Sequence, residues 1–355
     1  MFHPPPRWVF ALSPRFTHLP VGKLPPDLLA RLLAKAPIFD QRVLLGPGIG
    51  LDCAVIELSD RLLVLKSDPI TFAVDQIGWY AVQVNANDIA TTGAIPRWML
   101  ATLLLPEGGA TRENVEQISE QLFLACREIG VSLVGGHTEV TAGLNRPILI
   151  GTMLGEVSRE GLVTPRGARP GDRICLTKGV PIEATALLAR EFPERLQLVL
   201  SEVELRQAQG FLHNPGISIW RDAQIALAAG LVTAMHDPTE GGLAAALWEL
   251  AEASQCSLLI DPTAVLLPSI SERICRAFDI DPLASIASGA LLFTAPPAHI
   301  PAILAALEAG GIPSREIGQV LEGPSGVWRT GTVSPELWPR PERDAIARLF
   351  EDYPT

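Results

Sequence analysis

Apolar residues recur at helical spacing over 25–35, 76–92 and 112–129, and in strand-like runs over 53–58, 62–66, 98–105, 131–134 and 148–157. Recurrence at i, i+3, i+4 marks one face of a helix, and short β-branched runs mark strands. The first half therefore predicts a mixed helix-and-sheet unit, opened by a short proline-capped helix. A Gly-, Pro- and Arg-rich stretch at 158–172 interrupts the apolar period and predicts a linker. Beyond it a strand pattern at 173–177 starts a second series. Helices are expected near 182–191, 202–211, 218–229, 242–254 and 302–308, and strands near 257–260 and 290–294. The expectation is an α/β (α+β) protein of two domains: an extension at 1–37, a first domain at 38–157, the linker at 158–172, a second domain at 173–330 and a tail at 331–355. No short-period repeat is visible.

Composition narrows the class. At 355 residues and 48% hydrophobic content the chain can build real cores, and length favours about two domains. Lys and Arg number 28 against 39 Asp and Glu, a formal charge of −11, which opposes attraction to a phosphate backbone, so nucleic acid is not an expected partner. The five cysteines are odd in number and scattered, with no C-x-x-C pair. Neither a disulfide framework nor a thiolate zinc site is indicated, and a reducing, cytoplasmic compartment is expected. Residues 282–307 carry no formal charge, but prolines, a glycine and serines break them into runs too short for a spanning helix, so they read as buried structure and no membrane association is expected. Residues 1–20 lack the continuous apolar core of an export signal.

The familiar nucleotide loops are absent. Gly46, Gly48 and Gly50 form G-x-G-x-G, neither a P-loop nor a dinucleotide fingerprint. Such a loop either offers backbone amides to an anion or simply turns the chain. Asp88 continues the apolar stripe Ile77, Ala81, Val84, so its carboxylate lies among buried side chains and must meet a metal, a basic group or backbone amides. Asp52 follows the glycine loop, and Asp68 ends a strand pattern before Pro69. Three carboxylates at element ends suit Mg²⁺, and each alone also suits a turn. Gly135, Gly136, His137, Thr138 and Glu139 read as a polar loop after a strand, in which His137 is structural or catalytic. The run 237–243, DPTEGGL, precedes a helix and fits either capping by its carboxylate and hydroxyl or phosphate binding at the helix start.

In order along the chain, GPGIGLDCAVI (46–56), KSDP (66–69), NDIATTGAIP (87–96), GGHTEV (135–140), DPTEGGLAAAL (237–247) and SGALL (288–292) resemble the superfamily of AIR synthetase, selenophosphate synthetase, thiamine monophosphate kinase and the hydrogenase maturation protein HypE. KLPPDLLARLL (23–33) and ERICRAFDIDPL (272–283) look most like the HypE branch. The resemblance implies a PurM-like two-domain architecture. In it the first domains of two subunits join into a shared β-barrel, and ATP with Mg²⁺ sits in a cleft at the homodimer interface. By position, Asp52, Asp68 and Asp88 look like the family's metal and phosphate carboxylates. Asn87, Gly46, Gly48, Gly50, Gly135, Gly136 and Thr138 look like nucleotide contacts; His137 and Thr138 fall where relatives carry Asp, Glu or His followed by Thr, and His137, as substrate-orienting group, and Asp88 are the expected catalytic residues. The implied chemistry is ATP-dependent activation of an amide or carbonyl oxygen by phosphoryl transfer.

Two departures stand out. Relatives commonly carry an acidic residue immediately before the first aspartate, where this chain has Leu51, and HypE ends in a tail whose terminal cysteine carries the carbamoyl group, whereas this sequence ends in EDYPT (351–355). The expectation is thus an ATP- and Mg²⁺-dependent enzyme acting on an unnamed acceptor. The alternatives are a non-catalytic nucleotide-binding scaffold, or a maturation-like protein whose thiol comes from a partner.

Overall fold

The computed structural model describes residues 24–71, 75–331 and 333–352. The export-signal reading of residues 1–20 and the final three residues of the tail lie outside them. The first half runs α1 (Pro26–Leu33), β1 (Val43–Leu45), β2 (Ala54–Leu58), β3 (Arg61–Ile70), α2 (Ile77–Thr91), β4 (Ile95–Pro106), α3 (Arg112–Ile129), β5 (Ser132–Thr141) and β6 (Ile148–Val157). Its six strands lie in the order β1-β2-β3-β6-β4-β5. Only β4 and β5 are parallel, and α3 supplies the crossover that a parallel pair requires. That helix has sequence-legible ends: the Thr111 hydroxyl accepts the Asn114 N–H at 3.2 Å, and Gly130 closes it in the left-handed conformation.

Residues 135–139, expected as a loop, are strand. β5 continues through Thr141 because β4 beside it supplies a ladder of partners, Leu100 to Gly135 through Leu105 to Val140. Glycines and polar side chains on an edge strand leave no apolar period to announce this. The ladder also accounts for Gly136, where a Cβ would strike the Ala101 backbone.

Strand alternation gives the sheet two unlike faces. Val64, Met99 and Met153 are buried under α2 and α3. The opposite face presents Leu63, Leu65, Leu100, Leu104, Ile150 and Leu154, all only partly covered, with Leu100 40% exposed. α2 is buried on nearly every side, being packed between the sheet, α3 and the second half of the chain.

Residues 158–172 contain only one short 3₁₀ turn, Pro165–Gly167. The second half then runs β7 (Arg173–Thr177), α4 (Ile182–Glu191), α5 (Pro193–Leu196), α6 (Glu202–Gln209), α7 (Trp220–Ala229), β8 (Ala234–His236), α8 (Gly242–Ser254) and β9 (Ser257–Ile260). It ends with α9 (Ser269–Phe278), β10 (Leu292–Ala295), α10 (Ile300–Ala309), β11 (Ser314–Leu321), β12 (Gly326–Arg329), β13 (Glu336–Leu337) and α11 (Ala347–Asp352). Its seven strands are ordered β13-β12-β9-β11-β7-β10-β8, with β12 and β9 the parallel pair. Strands β1, β8, β11, β12 and β13 went unsignalled because they are short or mix polar and apolar residues. The uncharged stretch at 282–307 supplies β10, wholly buried between β7 and the edge strand β8, and α10. Among the described residues no helix is long and apolar enough to cross a membrane. The tail is integral to this half: Trp338 is buried in its core, and its backbone carbonyl accepts the Trp248 indole N–H at 2.9 Å.

Candidate functional site

Lys66 and Asp68 lie two apart on β3 and therefore share the helix-covered face of the sheet. α2 brings Asp88 to the same place, and its Asn85 side chain accepts the Asp68 N–H at 3.1 Å, fixing the end of the strand. Lys66 Nζ stands 3.1 Å from Asp88 Oδ2 and 3.2 Å from Asp68 Oδ2, and the lysine side chain is only 13% exposed. The partner that a carboxylate in an apolar stripe requires is this ammonium.

The second half of the chain closes the cluster. His236 ends β8 with its imidazole gripped from both sides: Nε2 is 2.9 Å from Glu249 on α8, and Nδ1 is 3.2 Å from Asp52. Asp52 is delivered by the glycine loop. Gly50 adopts φ +68°, and a Cβ there would lie 2.6 Å from the Glu249 carbonyl oxygen, so the loop rests directly on α8. Asp237 follows His236 at 4.0 Å. It does not cap α8: the cap is Gly241, whose N–H donates to the Asp344 carboxylate at 2.6 Å. Both Asp237 oxygens are buried without a hydrogen-bond partner among the described residues. The tail carboxylate of Asp344 thus occupies the helix start that the sequence offered to phosphate.

Four aspartates, one lysine and one histidine therefore converge where the two halves meet. Burial opposes the charge on Lys66, but Asp88, Asp52 and Asp68 outweigh it and keep the ammonium protonated. Burial likewise works against a charged His236, and Asp52 and Glu249 reverse it, holding an imidazolium. Burial and the neighbouring Asp52 push Asp237 up to about 6. Asp88 is raised as well, by burial first, with Lys66 pulling the other way and three acidic neighbours adding to the rise. Burial by itself raises a carboxyl, and neighbouring acidic groups add to the rise. Asp52, His236 and Asp237 offer ligand atoms all within 4.8 Å of one another.

Other residues singled out in the sequence fall elsewhere. Asn87 faces no carboxylate: its Nδ2 donates to the Ile217 carbonyl at 2.8 Å and its Oδ1 accepts the Ile219 N–H at 2.9 Å, bracing α2 against the second half. Gly46 and Gly48 lie in the loop that leads to Asp52, where Gly48 bridges to Leu51 and Leu51 packs on the first core. His137 and Glu139 are exposed, 3.0 Å apart, on the open face of the sheet. Their edge strand stands three strands from β3, roughly 14 Å at about 4.8 Å per strand, so the structure separates His137 from the aspartates within one chain. Thr138 and Gly136 turn toward α3, where with Leu122 and Phe123 they line a cavity of about 240 Å³.

Sequence reasoning missed Lys66, His236 and Glu249 as site residues and left Asp237 between capping a helix and helping to bind phosphate at its start. Alternation on β3 could have placed Lys66 beside Asp68. No periodicity links β8 or α8 to the glycine loop.

Two family models account for most of the chain: the AIR synthase related protein N-terminal domain over residues 50–157 and the corresponding C-terminal domain over 169–329. The chain belongs to the AIR synthase related family. It is 32% identical over 259 residues to the carbamoyl dehydratase HypE of Cupriavidus necator, covering 72% of this chain and 70% of that protein. It is 28% identical over 319 residues to the thiamine-monophosphate kinase of Salmonella typhimurium, covering 83% and 89%. Among solved structures, a hydrogenase maturation protein HypE in complex with ATP superposes with TM-score 0.65 at 24% identity, covering 88% and 91%. A ThiL complexed with AMPPCP and TMP superposes with TM-score 0.68 at 22% identity, covering 89% and 94%. The two-sheet α/β architecture is that of the family.

Proposed function

We propose that this chain is an ATP-dependent enzyme that transfers a phosphoryl group to an oxygen of a small molecule or of a carbonyl held by a partner protein. Mg²⁺ assists the transfer, and two copies of the chain form the working unit. The observation that carries this reading is the convergence of Asp52, Asp68, Asp88 and Asp237 where the two sheets meet. The family supports it, since relatives are named as an ATP-complexed HypE, a carbamoyl dehydratase and a kinase.

The residues fit a divalent cation. Asp237 has two buried oxygens without hydrogen bonds among the described residues, and Asp52 brings a carboxylate oxygen within 4.8 Å of it, so hard oxygen donors converge at one point. Asp52 and Asp237 would hold Mg²⁺, which when bound supplies positive charge to the transferring phosphate. His236, clamped by Glu249, holds Asp52 in place. Lys66 keeps Asp68 and Asp88 from repelling one another. The loop carrying Gly46, Gly48 and Gly50 brings backbone amides beside Asp52. We assign it, with Gly135 and Gly136, to nucleotide contact.

The acceptor comes from outside the chain's own thiols. All five cysteines are free and buried, and burial pushes Cys126 up to about 11 and Cys275 up to about 12, so none is a carrier nucleophile. The uncovered apolar sheet face supports a homodimer built through the first domain, as the resemblance implies. His137 lies on that face, and we assign it to substrate orientation across the interface.

Calorimetric titration of ATP with Mg²⁺ and with EDTA tests the core of this reading. Saturable binding that requires Mg²⁺ is expected, followed by ADP release once an acceptor is supplied. Asp88→Asn is expected to lower ADP release by about 10²-fold or more, in line with loss of charge stabilisation. Full turnover in that variant, or no ATP binding by the unaltered chain, overturns the proposal.

A further inference from the structure

Resting on the ATP and Mg²⁺ reading above, the geometry points to a second role for Lys66. We infer that its ammonium is a built-in cation, occupying the place where Asp68 and Asp88 would otherwise share a divalent ion, so that each chain takes one metal ion with its nucleotide rather than a pair. Three observations converge. Lys66 Nζ bridges the two carboxylates at 3.2 and 3.1 Å, ordinary charge-assisted hydrogen-bond lengths. A Mg²⁺ ion shared by those carboxylates would stand about 2.1 Å from each oxygen, in the space the ammonium fills, so the two cannot coexist there.

The remaining acidic groups are arranged differently. Asp52 and Asp237 bring carboxylate oxygens within 4.8 Å of one another, with the His236 imidazolium 3.2 Å from Asp52 and 4.0 Å from Asp237, and no lysine or arginine forms an ion pair with Asp237 among the described residues. Two oxygens each about 2.1 Å from one ion stand at most about 4.2 Å apart, so a small contraction closes this half around a single ion. The cluster therefore divides into two carboxylates bridged by Lys66 and two flanked by His236, of which Asp237 keeps both oxygens without a hydrogen-bond partner among the described residues and open to a metal.

Leu51 is consistent with that division, because the position before Asp52 adds an apolar side chain packed on the core rather than a further ligand. A lysine also differs from a metal ion in being permanent. It holds Asp68 and Asp88 together before any nucleotide arrives, which removes part of the repulsion that would otherwise oppose assembly of the site.

The test counts ions. The full chain is saturated with a non-hydrolysable ATP analogue and titrated with Mn²⁺, and free Mn²⁺ is read by its electron paramagnetic resonance against an analogue-only control. The unaltered chain is expected to bind about one Mn²⁺ per bound analogue, with no second ion at millimolar Mn²⁺. Lys66→Met is expected to bind about two, and Lys66→Arg, which retains the charge, about one. Two ions in the unaltered chain, or one in a folded Lys66→Met chain that still binds analogue, overturns the assignment. Should Lys66→Met fail to fold, the counts for the unaltered chain and Lys66→Arg decide. An unaltered chain that binds no analogue at all refutes the ATP reading itself, an outcome separate from a wrong ion count.

Discussion

Glu183 offers a direct check on the electrostatics of a buried carboxyl in the second half of the chain. It is the second residue of α4, 7% exposed, with Oε2 lacking any hydrogen-bond partner among the described residues. Burial raises its carboxyl from 4.5 to about 7. The Ser288 hydroxyl and backbone N–H resist that rise, while Glu240 and Asp344 reinforce it. Ionising such a group inside the fold costs about 3 kcal/mol more than ionising it in the unfolded chain. Because the folded value lies above the unfolded one, the contribution to stability is fully present below about pH 4.5 and is lost as pH rises through about 7. Glu183→Gln keeps the shape and an acceptor for Ser288 but cannot ionise. In urea unfolding at about pH 5 and about pH 8.5, the stability of the variant relative to the unaltered chain should shift in its favour by about 2 to 3 kcal/mol toward alkaline pH. Any fixed cost of placing an amide N–H₂ where Oε2 stands is the same at both pH values and drops out of the comparison. A gap that stays constant with pH would show that Glu183 does not titrate in this range, and the account of its environment would fail.

The other expectations are simpler to state. Asn87→Ala strands the Ile217 carbonyl and the Ile219 N–H in buried surroundings and should lower unfolding free energy by about 2 to 4 kcal/mol, measured in urea. A pure nucleotide-contact role would leave stability unchanged. Gly50→Ala forces a left-handed alanine against the Glu249 carbonyl, so a loss of about 1 to 3 kcal/mol in thermal unfolding is expected together with weaker ATP binding; unchanged values would mean the loop is not seated on α8. Leu100→Glu places a charge on the uncovered sheet face. Light scattering should report half the mass of the unaltered chain, and an unaltered mass would count against a dimer through that face.

Much of the scaffold was legible because it follows from local periodicity. The stripe Ile77, Ala81, Val84 marks α2, and Thr111 and Gly130 mark the ends of α3. The same stripe required Asp88 to have a partner. The stretch 135–139 shows where such reasoning stops, since its strand character comes from the neighbouring β4 rather than from its own side chains.

The sequence by itself determined two mixed units, a buried Asp88 in need of a countercharge, and a family resemblance that brought Asp52, Asp68 and Asp88 under one heading. Only the tertiary structure decided which charges meet. Lys66 belongs to Asp68 and Asp88, His236 joins Asp52 to Glu249, Asp237 faces the cluster instead of capping α8, and His137 stands on the far side of the sheet. The physical reason is range. Periodicity reports which way a side chain points within its own helix or strand, whereas a site where two sheets meet depends on contacts between elements far apart in the chain, which no local pattern encodes.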